Sequence, residues 1–357
     1  MNEGLRCDHG GAIDRAQPLN FRFDGRQYRG YAGDTLASAL LANGVQLMGR
    51  SFKYHRPRGV LAAGAEEPNA LVTVRRDGAR ETPNLRATQV ELYEGLEAFS
   101  QNRWPSLAFD AGAVNDLLAP FIPAGFYYKT FMWPKRAWHA LYEPRIRAAA
   151  GLGRAPSQAD PDRYATRFAH CDVLIVGAGP AGLAAAEAAA AAGARVILCD
   201  EQAQMGGALL SEPASPLARE LPATLAALAA HPRVALLPRT TAFGYFPHNS
   251  VALSQRLTDH LAEPKAGAAR ERQWQVRARE VVLATGAIER PLVFAGNDRP
   301  GIMLAGAART WLNRYAVRPG TRAVLVTAAD EAYRAAFELE DAGVYVACIA
   351  DSRADGA

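Results

Sequence analysis

DVLIVGAGPAGLAAAEAAAAAGARVILCD, residues 172–200, is the stretch that decides the fold of this chain. It begins and ends with a short apolar run, each the length of a buried strand, and Asp200 follows the second run. Gly177, Gly179 and Gly182 lie between the first run and an alanine-rich segment. Glycines at this spacing between a strand and a helix are typical of a dinucleotide-binding βαβ unit.

Each glycine has a separate task in such a unit. Gly177 permits the tight turn, Gly179 lets a pyrophosphate approach the backbone, and Gly182 lets helix and strand pack closely. The free N–H groups of the helix N-terminus, including that of Ala181, face the phosphates. The sequence therefore predicts a phosphate-binding turn at 177–182.

An acidic pair follows the second predicted strand. Asp200 stands near the roughly 20-residue offset of the acid that hydrogen-bonds an adenosine ribose. Glu201 lies beside it, and two carboxylates would repel the 2′-phosphate of NADP. We therefore expect NAD.

The composition is that of a folded globular protein, with 49% hydrophobic and 21% charged residues among 357. A net charge of +4 indicates neither a nucleic-acid partner nor a polybasic membrane anchor. No apolar run is long enough to span a bilayer, and the N-terminal sequence MNEGLRCDHGG lacks the apolar core of a signal peptide. We expect a soluble, cytoplasmic protein with no nucleic-acid or membrane contact.

The four cysteines, Cys7, Cys171, Cys199 and Cys348, are widely scattered. No two share the spacing of a redox dithiol or a zinc site. Cys199 and Cys348 end predicted buried strands, where a thiol behaves as a small apolar side chain. We expect no catalytic cysteine and no metal site.

The first hundred residues predict a small β-grasp domain of the two-iron ferredoxin type. Residues 21–23 and 28–31 predict a hairpin across Asp24-Gly25, residues 35–42 a helix, and residues 71–74 a further strand. Such a domain would place its cluster cysteines in the loop after the helix, where this chain has none. Because a cluster needs thiolates, we expect a ferredoxin scaffold without an iron–sulfur cluster.

Two segments of the N-terminal half allow more than one interpretation. Loop 49–59, GRSFKYHRPRG, is basic; it could face a phosphate group or an acidic partner, or its arginines could bind local carbonyls in a solvated loop. Residues 104–142 combine many aromatic side chains with prolines. We expect this second segment to wrap the next domain or to be buried against a partner, and a linker to follow at 151–162.

Beyond the βαβ unit, residues 234–278 predict a small β-meander that leads into a hydrophobic strand at 281–287, which contains Ala-Thr-Gly. This order is characteristic of flavoproteins with two dinucleotide domains, of the disulfide-reductase type. In that arrangement Ala242 lies near the adenine, and Thr285 and Gly286 approach the cofactor at a strand end.

A second βαβ unit begins at Arg322, but residues 327–331, Thr-Ala-Ala-Asp-Glu, replace its glycine turn. Side chains and an acidic pair there would obstruct a pyrophosphate, so we expect a structural half that binds no nucleotide. A parallel sheet needs further elements to cover its faces. We therefore expect this chain to be the N-terminal portion of a longer polypeptide.

The predicted fold class is α/β, a flavoprotein-like Rossmann fold with two dinucleotide-binding domains and a β-meander, preceded by a small α+β domain of the β-grasp type. The predicted domains are a ferredoxin-like domain without cluster cysteines at 1–100, an aromatic wrapping segment and linker at 101–168, the first Rossmann domain with its meander at 169–318, and a truncated second Rossmann half at 319–357.

Several blocks make the chain resemble the α subunits of heterotetrameric sarcosine oxidases. They include loop 49–59, EEPNA at 66–70, ATGAIERPL at 284–292 and NDRPGIM at 297–303, all more specific than the glycine turn. The resemblance implies a complex with β, γ and δ subunits that demethylates sarcosine to glycine. Electrons would pass from FAD to FMN and then to oxygen, with release of hydrogen peroxide, and tetrahydrofolate would take the one-carbon unit.

The same resemblance implies NAD in the Rossmann site of this chain, with FAD and the covalent FMN attachment chiefly in the β subunit. This portion alone would not be active. No Ser/His/Asp or paired-carboxylate arrangement marks a catalytic residue. Gln202 and Ala208 would lie near the ribose and the phosphates, and the full set of expected cofactor-binding residues is Gly177, Gly179, Ala181, Gly182, Asp200, Glu201, Gln202, Ala208, Ala242, Thr285 and Gly286.

Three other functions remain open. The first is an FAD- and NADH-dependent oxidoreductase, although a working NADH site should keep the glycine turn that 327–331 lacks. The second is a subunit of a related amine or opine dehydrogenase or hydrogen cyanide synthase, whose iron–sulfur cysteines the loop after the first helix lacks. The third is a nucleotide-holding assembly scaffold without enzymatic activity.

Overall fold

The computed structural model describes residues 4–121, 125, 133–149 and 153–353. They form two compact units. The first unit comprises Met1–His9, Ile13–Asp160 and Arg290–Ala357, and the second comprises Gly10–Ala12 and Pro161–Glu289. Residues 290–318, which we assigned to the first Rossmann domain, therefore fold with the N-terminal residues.

A five-stranded sheet forms the centre of the first unit, in the spatial order β2-β1-β7-β5-β6. Strands β1 and β7 are parallel, and the other neighbours are antiparallel, as in a β-grasp domain. The strands of this unit up to residue 100 are β1 (Asp14–Phe23), β2 (Arg26–Ala32), β3 (Gly49–Arg50), β4 (Pro57–Arg58), β5 (Leu71–Arg75), β6 (Glu81–Arg86) and β7 (Leu96–Ser100), of which β3 and β4 form a separate short hairpin.

Helix α1 (Leu36–Ala42) packs on this sheet with all seven residues buried. Thr35 caps it: its side chain accepts a hydrogen bond from the Ser38 N–H, and the Ser38 hydroxyl accepts one from the Thr35 N–H. The predicted hairpin, helix and strand at 71–74 are confirmed. The sequence pattern missed β6, which forms a hairpin with β5, and β7, which pairs with β5 and, in parallel, with the distant β1.

Two buried polar clusters stabilise this unit. Arg6 donates two hydrogen bonds to the carboxylate of Asp34, at 2.7 and 3.0 Å, and a third to the carbonyl of Tyr315. Glu67, only 1% exposed, accepts four backbone hydrogen bonds from Leu61, Ala62, Asn69 and Ala70. Burial raises the pKa of Glu67, and the four N–H groups oppose this shift.

Among the described residues of 101–149, the helical segments are short: single turns at 111–113 and 119–121, α2 (Val114–Leu117), a π-helical turn (Trp138–Tyr142) and α3 (Glu143–Ala149). The aromatic side chains of Trp104, Phe109, Phe121 and Trp133 are exposed, so these four do not fill a core within this chain. Burial against a partner stays a prediction. Residues 126–128, and 151–152 of the expected linker, lie outside the described residues.

The first unit ends in α6 (Ala305–Tyr315) and a small βαβ unit: β14 (Arg322–Thr327), α7 (Glu331–Asp341) and parallel strand β15 (Tyr345–Asp351). Trp311 and Tyr315 of α6 share one hydrophobic core with α1. The expected burial of Cys348 is wrong, because this side chain lies on an uncovered face of a sheet with two described strands.

The second unit is built on a six-stranded sheet in the order β10-β9-β8-β13-β12-β11. Strands β10, β9, β8 and β13 are parallel, while β12 and β11 continue as an antiparallel meander. Its elements are β8 (Arg163–Val176), α4 (Pro180–Ala191), β9 (Val196–Cys199), α5 (Pro216–Ala230), β10 (Val234–Leu237), β11 (Thr240–Phe246), β12 (Ser250–Arg256) and β13 (Ala269–Leu283).

Strand β13 corrects one expectation. We predicted separate strands at 273–278 and 281–287, but one strand runs from Ala269 to Leu283 because it pairs with β8 along that strand's full length. Within it, the buried Trp274 donates an N–H to Gln255 at 3.0 Å and lies beneath the guanidinium of Arg167. Among the described residues of both units, no helix is both long and apolar enough to cross a membrane.

Candidate dinucleotide-binding site

The carboxyl ends of three parallel strands meet at one edge of the second unit's sheet. Gly177 directly follows β8 and donates its N–H to the carbonyl of Cys199, the last residue of β9, at 2.8 Å. Ala284 directly follows β13 and donates to the carbonyl of Val176 at 2.8 Å. In open α/β sheets, ligands bind outside this edge.

The three glycines of the turn differ in the space around them. Gly177 has φ of +100°, and a Cβ there would collide with the carbonyl oxygen of Ala284. A Cβ on Gly182 would collide with the carbonyl oxygen of Gly177. A Cβ on Gly179 would meet no atom closer than Cα of Gly207, 3.9 Å away. The first and third glycines are therefore needed by the fold, whereas the second borders open space of the kind a pyrophosphate occupies.

Helix α4 begins at this open space. Gly179 is its N-cap residue, Pro180 is its first residue, and no described side chain caps it. The first N–H groups of a helix have no acceptor within the helix, and its N-terminus carries a partial positive charge. Ala181 is exposed in this first turn. The end of the helix is therefore suited to an anion.

Asp200 is held rigidly beside the turn. One carboxylate oxygen accepts the N–H of Ala178 at 2.7 Å, and the other accepts the N–H of Gln202 at 2.8 Å. Its backbone carbonyl accepts the N–H of Thr240 at 2.7 Å. A carboxylate can accept about four hydrogen bonds, so two ribose hydroxyls could still be bound.

A cation that the sequence pattern did not reveal lies beside the acidic pair of Asp200 and Glu201. Arg256 of β12 donates to the backbone carbonyl of Glu201 at 3.0 Å. The pairing of β11 with β12 brings it there from 55 residues away, so no local motif could have indicated it. Its charge offsets part of the repulsion that Asp200 and Glu201 exert on an anion.

The loop after β9 forms a second wall. Gly206 has φ of +141° and donates its N–H to the carbonyl of Ala178 at 2.8 Å. A Cβ on Gly207 would lie 2.8 Å from Cα of Gly179, so the two loops are almost in contact. Ala208 follows, exposed, in a single helical turn.

The remaining expected residues lie on the two flanks. Thr285 and Gly286 follow β13 and are exposed, and Cα of Thr285 is 3.3 Å from the place where a Cβ on Gly177 would lie. Ala242 lies on β11, two residues beyond Thr240. The structure therefore gathers the glycine turn, Asp200, the Gly206–Gly207 loop and Thr285 at one edge, with Ala242 farther along the adjoining strand.

Two family models match the chain. Residues 16–103 match the 2Fe-2S iron–sulfur cluster binding domain, and residues 172–282 match the FAD dependent oxidoreductase domain. A solved structure, L-proline dehydrogenase from P. horikoshii, aligns with 100% of this chain and 57% of its own at 19% identity and a TM-score of 0.64. The class defined by fold and site is thus a ferredoxin-like domain joined to a flavoprotein-type dinucleotide domain.

The chain is a homologue of the alpha subunits of sarcosine oxidase. It is 59% identical to the alpha subunit of the Rhizobium meliloti (strain 1021) sarcosine oxidase over 96% of its length, and 42% identical to that of Corynebacterium sp. (strain P-1) over 94%. An opine oxidase subunit of Agrobacterium tumefaciens (strain Ach5) is 35% identical over 48% of the chain. The chain spans about a third of the length of these relatives: 35%, 31% and 35%.

The expectation of no iron–sulfur cluster is contradicted. We based it on the cysteine-free loop, but the match of residues 16–103 places this domain in the 2Fe-2S cluster binding type. The matched range itself contains no cysteine to supply a thiolate ligand. Among the described residues, no group of three His, Cys, Asp or Glu side chains is placed to hold a metal ion. The match therefore gives the type of the domain, while the four cysteines of the chain lie outside the matched range.

Proposed function

We propose that the second unit binds the adenosine and pyrophosphate parts of NAD, and that the chain is the nucleotide-holding portion of a sarcosine-oxidase-type α subunit. The observation that supports the first part is the position of Asp200, fixed by Ala178 of the glycine turn and next to the open space at Gly179. The identity of 59% over 96% of the chain supports the second part.

Each residue of the site has a defined task in this proposal. The pyrophosphate lies against Gly179 and accepts hydrogen bonds from the N-terminal N–H groups of α4, including that of Ala181. Asp200 accepts hydrogen bonds from the ribose hydroxyls, and Glu201 adds negative charge that disfavours a 2′-phosphate. The Gly207–Ala208 loop and Thr285 border the phosphates, and the backbone near Ala242 borders the adenine.

FAD is the alternative occupant of this site. The match of residues 172–282 to the FAD dependent oxidoreductase domain favours FAD. The site would also accept it, because NAD and FAD share the adenosine and pyrophosphate that this site would bind. The two differ in the part of the ligand that extends beyond the pyrophosphate. Identification of the bound nucleotide therefore decides between them.

In the proposed complex, sarcosine would be oxidised at its N-methyl group, and a bound flavin would supply the oxidation. Oxygen would be the final acceptor of the electron pair, with release of hydrogen peroxide, and tetrahydrofolate would take the one-carbon unit. The β, γ and δ subunits complete the assembly. The site residues of this chain bind and orient a nucleotide, and none is assigned a proton transfer in the reaction.

The first experiment releases the nucleotide from the purified chain by heat and identifies it by mass spectrometry, with a visible absorption spectrum taken beforehand. We expect about one NAD per chain and no flavin absorption. A stoichiometric FAD with flavin absorption would reassign the site to the alternative. A chain that binds neither, even after incubation with both, would contradict the proposed site.

The second experiment tests the assembly. The complete α subunit is coexpressed with the β, γ and δ subunits, and peroxide release is measured with sarcosine, L-proline and an opine. We expect release with sarcosine above all. A preference for the opine would move the chain to the function of its opine oxidase relatives.

A further inference from the structure

A second cavity lies in the first unit and is unrelated to the glycine turn. Loop 49–59 lines it, and its volume is about 450 Å³. Sites for small molecules occupy about 300–1,000 Å³. The cavity is therefore large enough for one small ligand.

Positive charge dominates the walls of this cavity. Arg50, Lys53, Arg56 and Arg58 all line it, and none of the described residues that line it is acidic. Four cations that line one concave space favour an anionic occupant.

Acidic groups behind the walls neutralise only part of this charge. A single carboxylate, that of Asp298, serves two guanidinium groups: it accepts from Arg56 at 2.8 Å and from Arg58 at 2.7 Å. Asp116 lies 3.9 Å from Arg56 and is more than half exposed. Burial lowers the pKa of Arg58 despite Asp298, which indicates a positive charge incompletely compensated by its surroundings.

Arg50 differs from the other three cations. It donates to the carbonyls of Leu107 and His55, and Asp110 lies 4.0 Å from it. The interpretation of the loop as one whose arginines bind local carbonyls is thus correct for Arg50. It does not describe Arg56 and Arg58, which bind a carboxylate instead.

The cavity also offers an aromatic surface. The ring of Tyr54 lines it, with the ammonium of Lys53 at 4.9 Å from the ring centre. Gln101 lines it too and is more than nine-tenths buried. Its amide nitrogen donates to Thr73, while its carbonyl oxygen has no partner among the described residues. Since that oxygen is itself fully buried, it offers no acceptor to a ligand in the cavity.

We propose that this cavity binds a small aryl phosphate. The phosphate pairs with Lys53, Arg56 and Arg58, and the ring lies against Tyr54. The volume of the cavity favours a small molecule over an acidic peptide segment. This site is independent of the dinucleotide site.

Phenyl phosphate is the probe for this proposal, with phenol and inorganic phosphate as its two halves, and binding to the full chain is measured by calorimetry. We expect phenyl phosphate to bind at least tenfold more tightly than either half. The double variant Lys53→Met/Arg56→Met should weaken the binding of phenyl phosphate at least tenfold, because two of the three cations that pair with the phosphate are lost. The fold should be retained, because Asp298 keeps Arg58 as a partner. The matched control, Lys265→Met/Arg279→Met, alters two exposed cations of the second unit and should leave the affinity unchanged.

Three outcomes would overturn the proposal. They are no binding of phenyl phosphate to the unaltered chain, equal weakening in both double variants, and tighter binding of hexaglutamate than of phenyl phosphate, which would indicate an acidic peptide instead. The Asp200→Ala variant separates the two sites, because it should retain phenyl phosphate binding whether or not it retains a dinucleotide.

Discussion

The carboxylate of Asp200 accepts a 2.7 Å hydrogen bond from the backbone N–H of Ala178, in the middle of the glycine turn. The acid expected to bind a ribose thus also positions the loop expected to bind the pyrophosphate. The two halves of the proposed site are coupled through one side chain.

Asp200→Ala should weaken dinucleotide binding by about 1–3 kcal/mol, because the ribose hydroxyls lose a charged acceptor and the turn loses its support. The measurement is nucleotide content by mass spectrometry, with titration of ADP-ribose for the affinity. Asp172→Asn is the control, since Asp172 pairs with exposed Arg195 in the same unit. Unchanged affinity in Asp200→Ala would remove the ribose role.

Gly179→Ala should abolish or greatly weaken dinucleotide binding without loss of stability, because its methyl group enters the open space and meets no protein atom closer than 3.9 Å. Gly182→Ala should instead lower the thermal midpoint, because its methyl group meets the Gly177 carbonyl. Thermal melts and nucleotide content measured on both variants separate the two effects. A stable, normally loaded Gly179→Ala variant would contradict the pyrophosphate position.

Asp34→Asn should destabilise the first unit by about 3–5 kcal/mol, because it leaves the buried guanidinium of Arg6 without its charged partner. The measurement is the free energy of unfolding in urea. Asp77→Asn serves as the control, since Asp77 forms an exposed pair with Arg80, and pairs of this kind contribute about 0–1 kcal/mol. Equal losses of unfolding free energy in the two variants would show that the buried pair contributes no more to stability than the exposed pair.

Glu67 predicts a pH dependence of stability. Its pKa is raised in the folded state, so the fold favours the protonated form, and the unaltered chain should lose stability as the pH rises from the ordinary value of 4.5 through the raised value. Glu67→Gln has no such titration. The unfolding free energy of the unaltered chain should therefore exceed that of the variant by less as the pH rises. A difference that grows with pH would show that the pKa of Glu67 is lowered in the folded state. Urea unfolding of both proteins across the acidic range measures it.

The cysteines should differ sharply in reactivity. Burial raises the pKa of Cys171 to about 11 and that of Cys199 to about 12, so neither forms much thiolate at mildly alkaline pH. Cys348 is exposed. Iodoacetamide followed by peptide mass spectrometry should find Cys348 modified first, and Cys171 and Cys199 only after unfolding. Early modification of Cys199 would show that the end of β9 opens readily.

The elements that the sequence pattern predicted well are those fixed by local chemistry. The turn at Asp24-Gly25, the Thr35 cap and the last four residues of the strand before Gly177 each depend on residues next to one another in the chain. The first ten residues of that strand, from Arg163, were not predicted, and they pair with distant β13. Strand β7 and the continuity of β13 depend on pairing between segments distant in the chain, and the pattern missed the first and divided the second. Strand β6 pairs with its chain neighbour β5, but its polar sequence ETPNLR gives no strand pattern.

The same distinction between local and distant contacts holds for the residues of the candidate site. The glycine spacing and Asp200 indicated the turn and the acid, because both lie in one βαβ unit. Arg256 beside Glu201 and Asp298 beside Arg56 arise from contacts across 55 and 242 residues, and no local motif marks them. The iron–sulfur expectation was wrong for another reason, because a missing ligand in one loop was taken to define the type of a whole domain.

Trp274 gives the second unit an optical signal of its own. It is the single tryptophan of residues 161–289, whereas the other four of the chain belong to the first unit. Since its indole is buried and hydrogen-bonded on β13, its fluorescence should shift to longer wavelength only when that strand becomes solvated. A chain in which the other four tryptophans are replaced by phenylalanine would report the unfolding of the second unit alone, and stabilisation by an added dinucleotide could then be read directly from the emission.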